Sequence, residues 1–241
     1  MQELKILELF AGTRSIGKAF EARGHSVFSV DWDKTLEHID LNCDIGALTA
    51  EDVIFLFGLP DVVWASPDCT TFSVAAIGFH RRKNKLTGSL EPLTEYAALC
   101  DEIDQHVLAL IQELQQERQR RGLPPLLFFI ENPRGGMRKM SWMQDLPRYT
   151  VTYCQYGDTR MKPTDIWTNH KNPEFKPPCK NGDPCHVPAP RGARTGTQGL
   201  KGAKEKGVIP QKLCEHIVDI CESFFDDTAE RKKTNENNTT D

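Results

Sequence analysis

The chain has 241 residues, of which 39% are hydrophobic and 27% are charged, a composition typical of a globular protein that buries a full core. No apolar run approaches the ~18 residues of a membrane span, and the start, MQELKILELF, lacks the charged-then-apolar order of a signal peptide. We therefore expect a cytoplasmic protein without membrane contact. The eight cysteines are scattered, which favours reduced thiols over a disulfide framework.

Charge is distributed unevenly along the chain. The net charge is -4, but residues 159–212 carry +7 and the remainder carries -11. A second basic cluster, HRRKNK, occupies residues 80–85. Such clusters are typical either of a solvated surface or of a region that contacts a polyanion, and both interpretations stay open at this point.

Strand and helix patterns alternate through the first 169 residues. Apolar runs predict strands at 4–10, 25–31, 60–66, 124–132, 149–156 and 164–169, and helices are predicted up to Gly24, at 49–58 and at 94–121. The apolar stripe of the last helix consists of Tyr96, Leu99, Cys100, Ile103, Val107, Leu110, Ile111 and Leu114. This alternation predicts an α/β domain with a mostly parallel central sheet.

The pattern changes after residue 169. Residues 170–207 contain six prolines and six glycines without a helical or strand period, which predicts a short irregular basic insert. Helical spacing returns at 208–225, and this helix is predicted to pack back on residues 1–169. Residues 226–241 are predicted to be a disordered tail.

Polar loops follow several predicted strands, where open α/β sheets bind their ligands. Gly12 follows the first strand, and Asp31 closes the second strand 19 residues later, about the spacing at which an acid reaches ribose hydroxyls. Trp32 could stack on an adenine ring. Cys69 follows the strand at 60–66, in SPDCTTFS, where a core thiol is the simplest interpretation of the residue alone.

The segments LELFAGTRSIGKAFE, VDWD, SPDCTTFS, FFIENPRGG and YGDTRMKPTDIW follow one another in this order. Together they resemble the motifs of the cytosine-5 DNA methyltransferase family, over residues 4–169 and the last helix. The resemblance implies a Rossmann-like, S-adenosylmethionine-dependent methyltransferase fold. Residues 1–169 would be the catalytic domain and 170–207 the target-recognition region. The implied activity is methyl transfer from S-adenosylmethionine to carbon 5 of cytosine in DNA.

The resemblance also implies roles for individual residues. Cys69 would be the nucleophile that adds to carbon 6 of cytosine, and Glu131 the acid at ring nitrogen 3. The implied cofactor-binding residues are Phe10, Gly12, Asp31, Trp32, Asp44 and Pro67. The implied substrate-binding residues are Asn132, Arg160, Lys162, Arg81 and Arg82, with 80–85 as the mobile catalytic loop.

Two departures from the family pattern keep alternatives open. Asp68 replaces a proline beside the nucleophile, and its negative charge disfavours the thiolate. The family's Gln-x-Arg-x-Arg pattern after YG is reduced to Arg160-Met161-Lys162-Pro163-Thr164. The alternatives are the same chemistry on RNA, or an inactive methyltransferase-like regulator that binds DNA. We expect DNA as the partner. The sequence leaves the oligomeric state open, with a monomer favoured.

The segment CKNGDPCH places Cys179, Cys185 and His186 close together. His170 or Cys154 could supply a fourth ligand for a structural zinc ion. The gap between the two cysteines is not a standard zinc-finger spacing, so loop thiols without a metal are the competing interpretation.

Overall fold

The computed structural model describes residues 2–188 and 202–237. The strands are β1 Lys5–Leu9, β2 Ser26–Asp31, β3 Leu41–Asn42, β4 Val62–Ala65, β5 Arg81–Lys83, β6 Leu90–Pro92, β7 Leu127–Pro133, β8 Arg148–Thr152 and β9 Pro163–Thr168. The helices are α1 Ser15–Ala22, α2 Ala50–Leu56, α3 Ile77–His80, α4 Glu95–Arg120, α5 Ala203–Gly207 and α6 Gln211–Asn237. Within these ranges, no helix is both long enough and apolar enough to cross a membrane.

Seven strands of the described chain form one sheet in the order β3-β2-β1-β4-β7-β9-β8. The pairs from β3 to β7 are parallel, whereas β9 runs antiparallel to both β7 and β8. Strands β5 and β6 form a separate antiparallel hairpin. The predicted α/β class with a mostly parallel central sheet is confirmed.

Helices cover both faces of the sheet, so strand residues alternate between two cores. In β4, Val62 and Trp64 pack in the core formed with α1 and α6. Val63 and Ala65 pack on the opposite face, in the core formed with α2 and α4. Burial on both faces explains why the central strands are continuously apolar in sequence.

The start of α4 departs from the predicted apolar stripe. Tyr96 and Leu99 are 44% and 48% exposed, while the later members from Val107 onward are buried in the core. The first turns of α4 lie beside the loop that follows β4, where partial burial and then the charge of Asp68 raise the pKa of the Tyr96 hydroxyl. The stripe therefore joins the core on this face of the sheet only from Val107 onward.

The C-terminal helix is longer than its sequence pattern predicts. It continues to Asn237, so the predicted disordered tail is wrong for residues 226–237, and residues 238–241 lie outside the described range. This extension contains neither glycine nor proline, which allows the helix to continue. A short helix, α5, also lies in the insert predicted to be irregular, whose residues 189–201 lie outside the described part of the chain.

Candidate active site

The polar loops that follow the parallel strands meet at one edge of the sheet. Because β1, β2, β4 and β7 are parallel, their carboxyl ends share this edge. Strand β9 is antiparallel to β7 and pairs Thr164 with Pro133. The start of β9 therefore reaches the same edge and brings Lys162 with it.

The loop after β1 has a backbone suited to close approach by a ligand. Phe10 and Gly12 both have left-handed backbones, with φ of 56° and 51°. Glycine takes this conformation at little cost, whereas Phe10 holds it under strain. The Gly12 N–H donates a hydrogen bond of 2.9 Å to Oδ2 of Asp31, which ties this loop to the end of β2.

The end of β2 and the following loop add polar and aromatic groups. Asp31 is buried and its Oδ1 accepts a 3.0 Å hydrogen bond from the Asp33 N–H, so each carboxylate oxygen keeps a free lone pair. Trp32 is 69% exposed and offers a flat surface. Asp44 is exposed and caps the short turn after β3 through the Gly46 N–H at 2.9 Å. An exposed indole and two carboxylates at strand ends fit a nucleoside.

Cys69 lies in the turn after β4, half-buried, directly before the 3-10 turn Thr70–Phe72. The loop after β7 packs directly on this turn, because the Gly136 N–H donates a 2.7 Å hydrogen bond to the Phe72 carbonyl oxygen. A Cβ atom at Gly135 would collide with the same oxygen. The two glycines of ENPRGG therefore allow the loop to hold the Cys69 turn in place.

Glu131 and Asn132 lie at the end of β7, next to β4. Glu131 is 6% exposed and accepts a 3.1 Å hydrogen bond from the Tyr153 hydroxyl. The Asn132 side-chain amide donates a 3.1 Å hydrogen bond to the carbonyl oxygen of Pro67, which is buried beneath the Cys69 turn. Sequence reasoning missed Tyr153, because one buried aromatic residue in an apolar run carries no functional signal.

The surroundings of Cys69 favour the protonated thiol. Burial, followed by the charges of Glu131 and Asp68, raises the pKa of Cys69 to about 11, while the Lys162 ammonium opposes the shift. The sequence-based expectation that Asp68 disfavours the thiolate agrees with this direction. The charges of Glu131 and Lys162 therefore act in opposite directions on the ionisation of Cys69.

The raised pKa predicts how Cys69 reacts with iodoacetamide. Because only the thiolate reacts, the alkylation rate should rise about tenfold per pH unit below pH 11. Asp68→Asn removes one negative charge and should accelerate alkylation at pH 8 by roughly threefold or more. Peptide mass spectrometry measures the rate, with Cys43 in the same protein as the internal control. An unchanged Cys69 rate in the variant would contradict this electrostatic account.

Arg81, a predicted substrate contact, does not present its guanidinium to solvent. It is 3% exposed and pairs with Asp101 at 2.7 Å, while its Nε donates to the Thr71 carbonyl oxygen at 3.1 Å. Its guanidinium also lies 4.0 Å from the ring centre of Phe72. Arg81 thus anchors the turn after Cys69 to α4, and its prediction as a phosphate contact is wrong.

Arg160 and Lys162, two further predicted substrate-binding residues, both have partners within the protein. Arg160 is 9% exposed and forms an ion pair with Asp158 at 2.5 Å. Lys162 donates to the Lys206 carbonyl oxygen at 2.8 Å and lies 4.5 Å from the ring centre of Tyr153.

Arg82 is exposed on the β5–β6 hairpin, where its Nε donates to Glu91 at 3.2 Å. This hairpin includes part of the predicted mobile loop, residues 80–85. Of the basic insert, Arg191, Arg194 and Lys201 lie outside the described residues.

The structure assembles the predicted metal candidates. Cys179, Cys185 and His186 lie together with Cys154, which is the fourth candidate that the fold selects. His170 lies elsewhere, with its ring edge-on to Phe224 at 5.6 Å.

The sheet order, the helices on both faces and the strand-end loops together define the Rossmann-like methyltransferase fold. The protein of Frog virus 3 (isolate Goorha) named "Probable DNA (cytosine-5)-methyltransferase" is 30% identical in an alignment 238 residues long that covers 90% of this chain and 100% of the relative. The chain therefore belongs to the DNA (cytosine-5)-methyltransferase family. No protein-family model matches it.

Solved structures with similar folds are more distant. The S. pombe Dnmt2 methyltransferase is 15% identical with a TM-score of 0.46, over 69% of this chain and 49% of that one. The Entamoeba histolytica methyltransferase EhMeth is 11% identical with a TM-score of 0.46, over 70% and 53%. The chain thus spans about half the length of these proteins.

Proposed function

We propose that the protein transfers a methyl group from S-adenosylmethionine to carbon 5 of cytosine in DNA, through a covalent bond between Cys69 and carbon 6. The observation that carries the proposal is that Cys69 follows β4 while Glu131 lies at the end of the neighbouring parallel strand β7, where its charge is among the causes that raise the pKa of Cys69. The name of the Frog virus 3 relative supports the same reaction. Eight free thiols suit a reducing compartment, so we extend the proposal to a cytoplasmic location.

The chemistry explains why a cysteine and a carboxylic acid are needed together. Carbon 5 of cytosine is a weak nucleophile until a thiolate adds to carbon 6 and makes it enamine-like. Cys69 forms this bond, and Glu131 holds a proton at ring nitrogen 3 to balance the electron density gained by the ring. S-adenosylmethionine, when bound, supplies the electrophilic methyl group. Once the methyl group is on carbon 5 and the thioether S-adenosylhomocysteine is left over, water takes the carbon 5 proton, ring nitrogen 3 returns its proton to Glu131, and Cys69 departs as the thiolate, which restores the aromatic ring.

The proposed role of Glu131 also eases ionisation of Cys69. A proton on Glu131 removes one of the two neighbouring charges that raise the pKa of Cys69. The Lys162 ammonium favours the thiolate as well. Burial and Asp68 are then the remaining effects that hold the proton on sulfur.

The segment after Cys69 supports a nucleic acid as the substrate. Arg82 and Lys83 are exposed on the β5–β6 hairpin, where they suit phosphate contacts. Val74, Phe79 and Leu86 are 79%, 74% and 96% exposed on the same segment, and exposed apolar side chains suit contacts with unstacked bases.

The cofactor in this proposal binds at the ends of β1 and β2. Phe10 and Gly12 would let the backbone approach the ligand closely, and Asp31 would bind the ribose hydroxyls. Trp32 would stack on adenine and Asp44 would bind its amino group. Pro67 would shape the turn below Cys69.

Asp31→Ala should weaken S-adenosylmethionine binding about tenfold or more, because a hydrogen bond to a charged group contributes about 1.5–3 kcal/mol. The variant also frees the Gly12 N–H, which loosens the loop after β1. Isothermal calorimetry measures the change. Glu37→Ala, an exposed acid in the loop after β2, is the matched control and should bind normally. Equal affinity in both variants would place the cofactor elsewhere.

The proposed activity is tested by identifying the methylated product. The full-length protein is incubated with methyl-labelled S-adenosylmethionine and either duplex DNA or RNA, and the digested nucleosides are separated. We expect label in 5-methyldeoxycytidine. Label only in 5-methylcytidine would move the activity to RNA, and label in a different nucleoside would contradict the proposal.

An inactive DNA-binding regulator is the second candidate. The protonated Cys69 thiol beside Asp68 and the pairing of Arg160 with Asp158 favour it. Such a protein would bind duplex DNA, with affinity falling steeply with salt, and give no labelled nucleoside in the same experiment.

A further inference from the structure

Four metal-binding side chains from separate segments meet beside β8. Cys154 lies in the 3-10 turn Tyr153–Tyr156 that follows β8. Cys179, Cys185 and His186 belong to the segment after β9, which folds back on this turn. The three sulfur atoms and one imidazole nitrogen all lie within 4.8 Å of one another.

We propose that Cys154, Cys179, Cys185 and His186 bind one structural Zn²⁺ ion. His186 Nδ1 lies 3.7 Å from the sulfur atoms of both Cys179 and Cys185, and the sulfur atoms of Cys185 and Cys154 are 3.5 Å apart. Ligand atoms placed 2.0–2.3 Å from one tetrahedral zinc ion lie about 3.5–3.8 Å from one another. These three separations match an occupied zinc site, the sulfur atoms of Cys154 and Cys179 are closer at 3.0 Å, and all the ligand atoms lie within 4.8 Å of one another, so small side-chain shifts would complete the tetrahedron.

The set of ligands specifies the ion and its role. Three thiolates and one neutral imidazole are a standard ligand set for zinc, and four protein ligands leave no open position for a substrate. Binding releases three thiol protons, so the occupied site carries a net charge of -1. Because the four protein ligands leave no open coordination position, we assign the site a structural role.

The surroundings hold the ligands in place. Cys154, Cys179 and His186 are each less than 10% exposed, while half-buried Cys185 leaves a path for the ion to enter. The Cys179 N–H donates a 3.0 Å hydrogen bond to the Thr152 hydroxyl, which holds Cys179 beside Cys154. A hydrogen bond of this kind, outside the ligand atoms themselves, orients a metal ligand.

A disulfide is a weaker account of the same cluster. The sulfur atoms of Cys154 and Cys179 are 3.0 Å apart, whereas a disulfide bond is about 2.05 Å long. A disulfide would also use two of the three thiols and leave Cys185 and His186 without a role. Zinc uses all four groups.

The ion would fasten the insert to the sheet near the proposed active site. Tyr153, which donates to Glu131, directly precedes Cys154. The Val187 N–H donates a 2.8 Å hydrogen bond to the Thr159 carbonyl oxygen, so the segment already contacts the turn between β8 and β9. We therefore expect the ion to order residues 172–188 against this turn.

The experiment measures metal directly and does not depend on methyl transfer. The full-length protein, purified under reducing conditions without a chelator, is analysed by mass spectrometry of its elements. We expect about one zinc per chain, and a thiolate-to-cobalt charge-transfer band when Co²⁺ replaces it. Cys179→Ser should lose the zinc, whereas His186→Cys should keep it through four thiolates. Cys43→Ser changes a half-buried thiol outside the cluster and should also keep it.

A second measurement covers the case in which Cys179→Ser fails to fold. The wild-type protein is stripped with a strong chelator, and trypsin cleavage after Lys171 and Lys180, each followed by asparagine, is measured over time. Stripping should accelerate cleavage severalfold, and added Zn²⁺ should reverse it. Absence of zinc from the wild type, iron in its place, equal zinc in Cys179→Ser, or a Cys154–Cys179 disulfide in the reduced protein would overturn the proposal.

Discussion

Cys69→Ser is expected to lower methyl transfer by on the order of 10⁴-fold or more, because a serine hydroxyl stays protonated where the thiol can ionise. Serine is close in size to cysteine, and Cys69 is only half-buried, so the fold should persist. Affinity for S-adenosylmethionine should change little. Turnover with labelled cofactor and calorimetric binding measure the two effects separately.

Cys43→Ser is the matched control for this variant, since it alters another half-buried thiol, which follows β3 and not β4. It should keep the wild-type rate. Substantial turnover in Cys69→Ser would show that the thiol is not the nucleophile.

Glu131→Gln is expected to reduce turnover by on the order of 10²-fold or more, the usual effect of losing a positioned acid. The glutamine keeps a side-chain oxygen that can accept the hydrogen bond from the Tyr153 hydroxyl, so the local structure should survive. It cannot supply the proton at ring nitrogen 3. The loss should fall on kcat and leave cofactor affinity nearly unchanged.

Tyr153→Phe provides the comparison for Glu131→Gln. It keeps the acid and removes one donor, so it should cost on the order of tenfold and no more. A wild-type rate in Glu131→Gln would exclude the acid from the reaction.

The sequence predicted the sheet, and with it the shared edge at which the Cys69 turn and the end of β7 lie, for a general physical reason. Strands β4 and β7 are buried on both faces and therefore form continuous apolar runs. Two such strands with a helix between them run parallel, and the residues that follow them reach the same edge. Short local patterns were sufficient for this part of the structure.

The sequence could not reveal that Arg81 is buried. HRRKNK has the pattern of an exposed basic loop, and the partner Asp101 lies 20 residues away on α4. Which arginine of Arg81 and Arg82 points inward depends on the β5–β6 hairpin, whose strands of three residues give too short a pattern to predict. Tertiary contacts decide this case.

The same limit applies to the Cys/His cluster. The sequence leaves both His170 and Cys154 open as the fourth ligand, since a Cys or His anywhere in the chain can bind the same ion once the chain folds. The antiparallel pairing places the end of β8 beside the start of β9, and the segment after β9 runs back to that end, where the Cys179 N–H donates to the Thr152 hydroxyl and Cys154 is adjacent. His170 follows the opposite end of β9 and packs on α6 instead.

The most direct test of the central claim is capture of the covalent bond between Cys69 and cytosine. Duplex DNA that contains 5-fluorocytosine is incubated with the protein and S-adenosylmethionine, because fluorine blocks the final elimination. We predict a stable adduct that survives denaturation, with the modified peptide containing Cys69 and no adduct in Cys69→Ser. An adduct of equal yield in Cys69→Ser, or one attached to a different residue, would contradict the account.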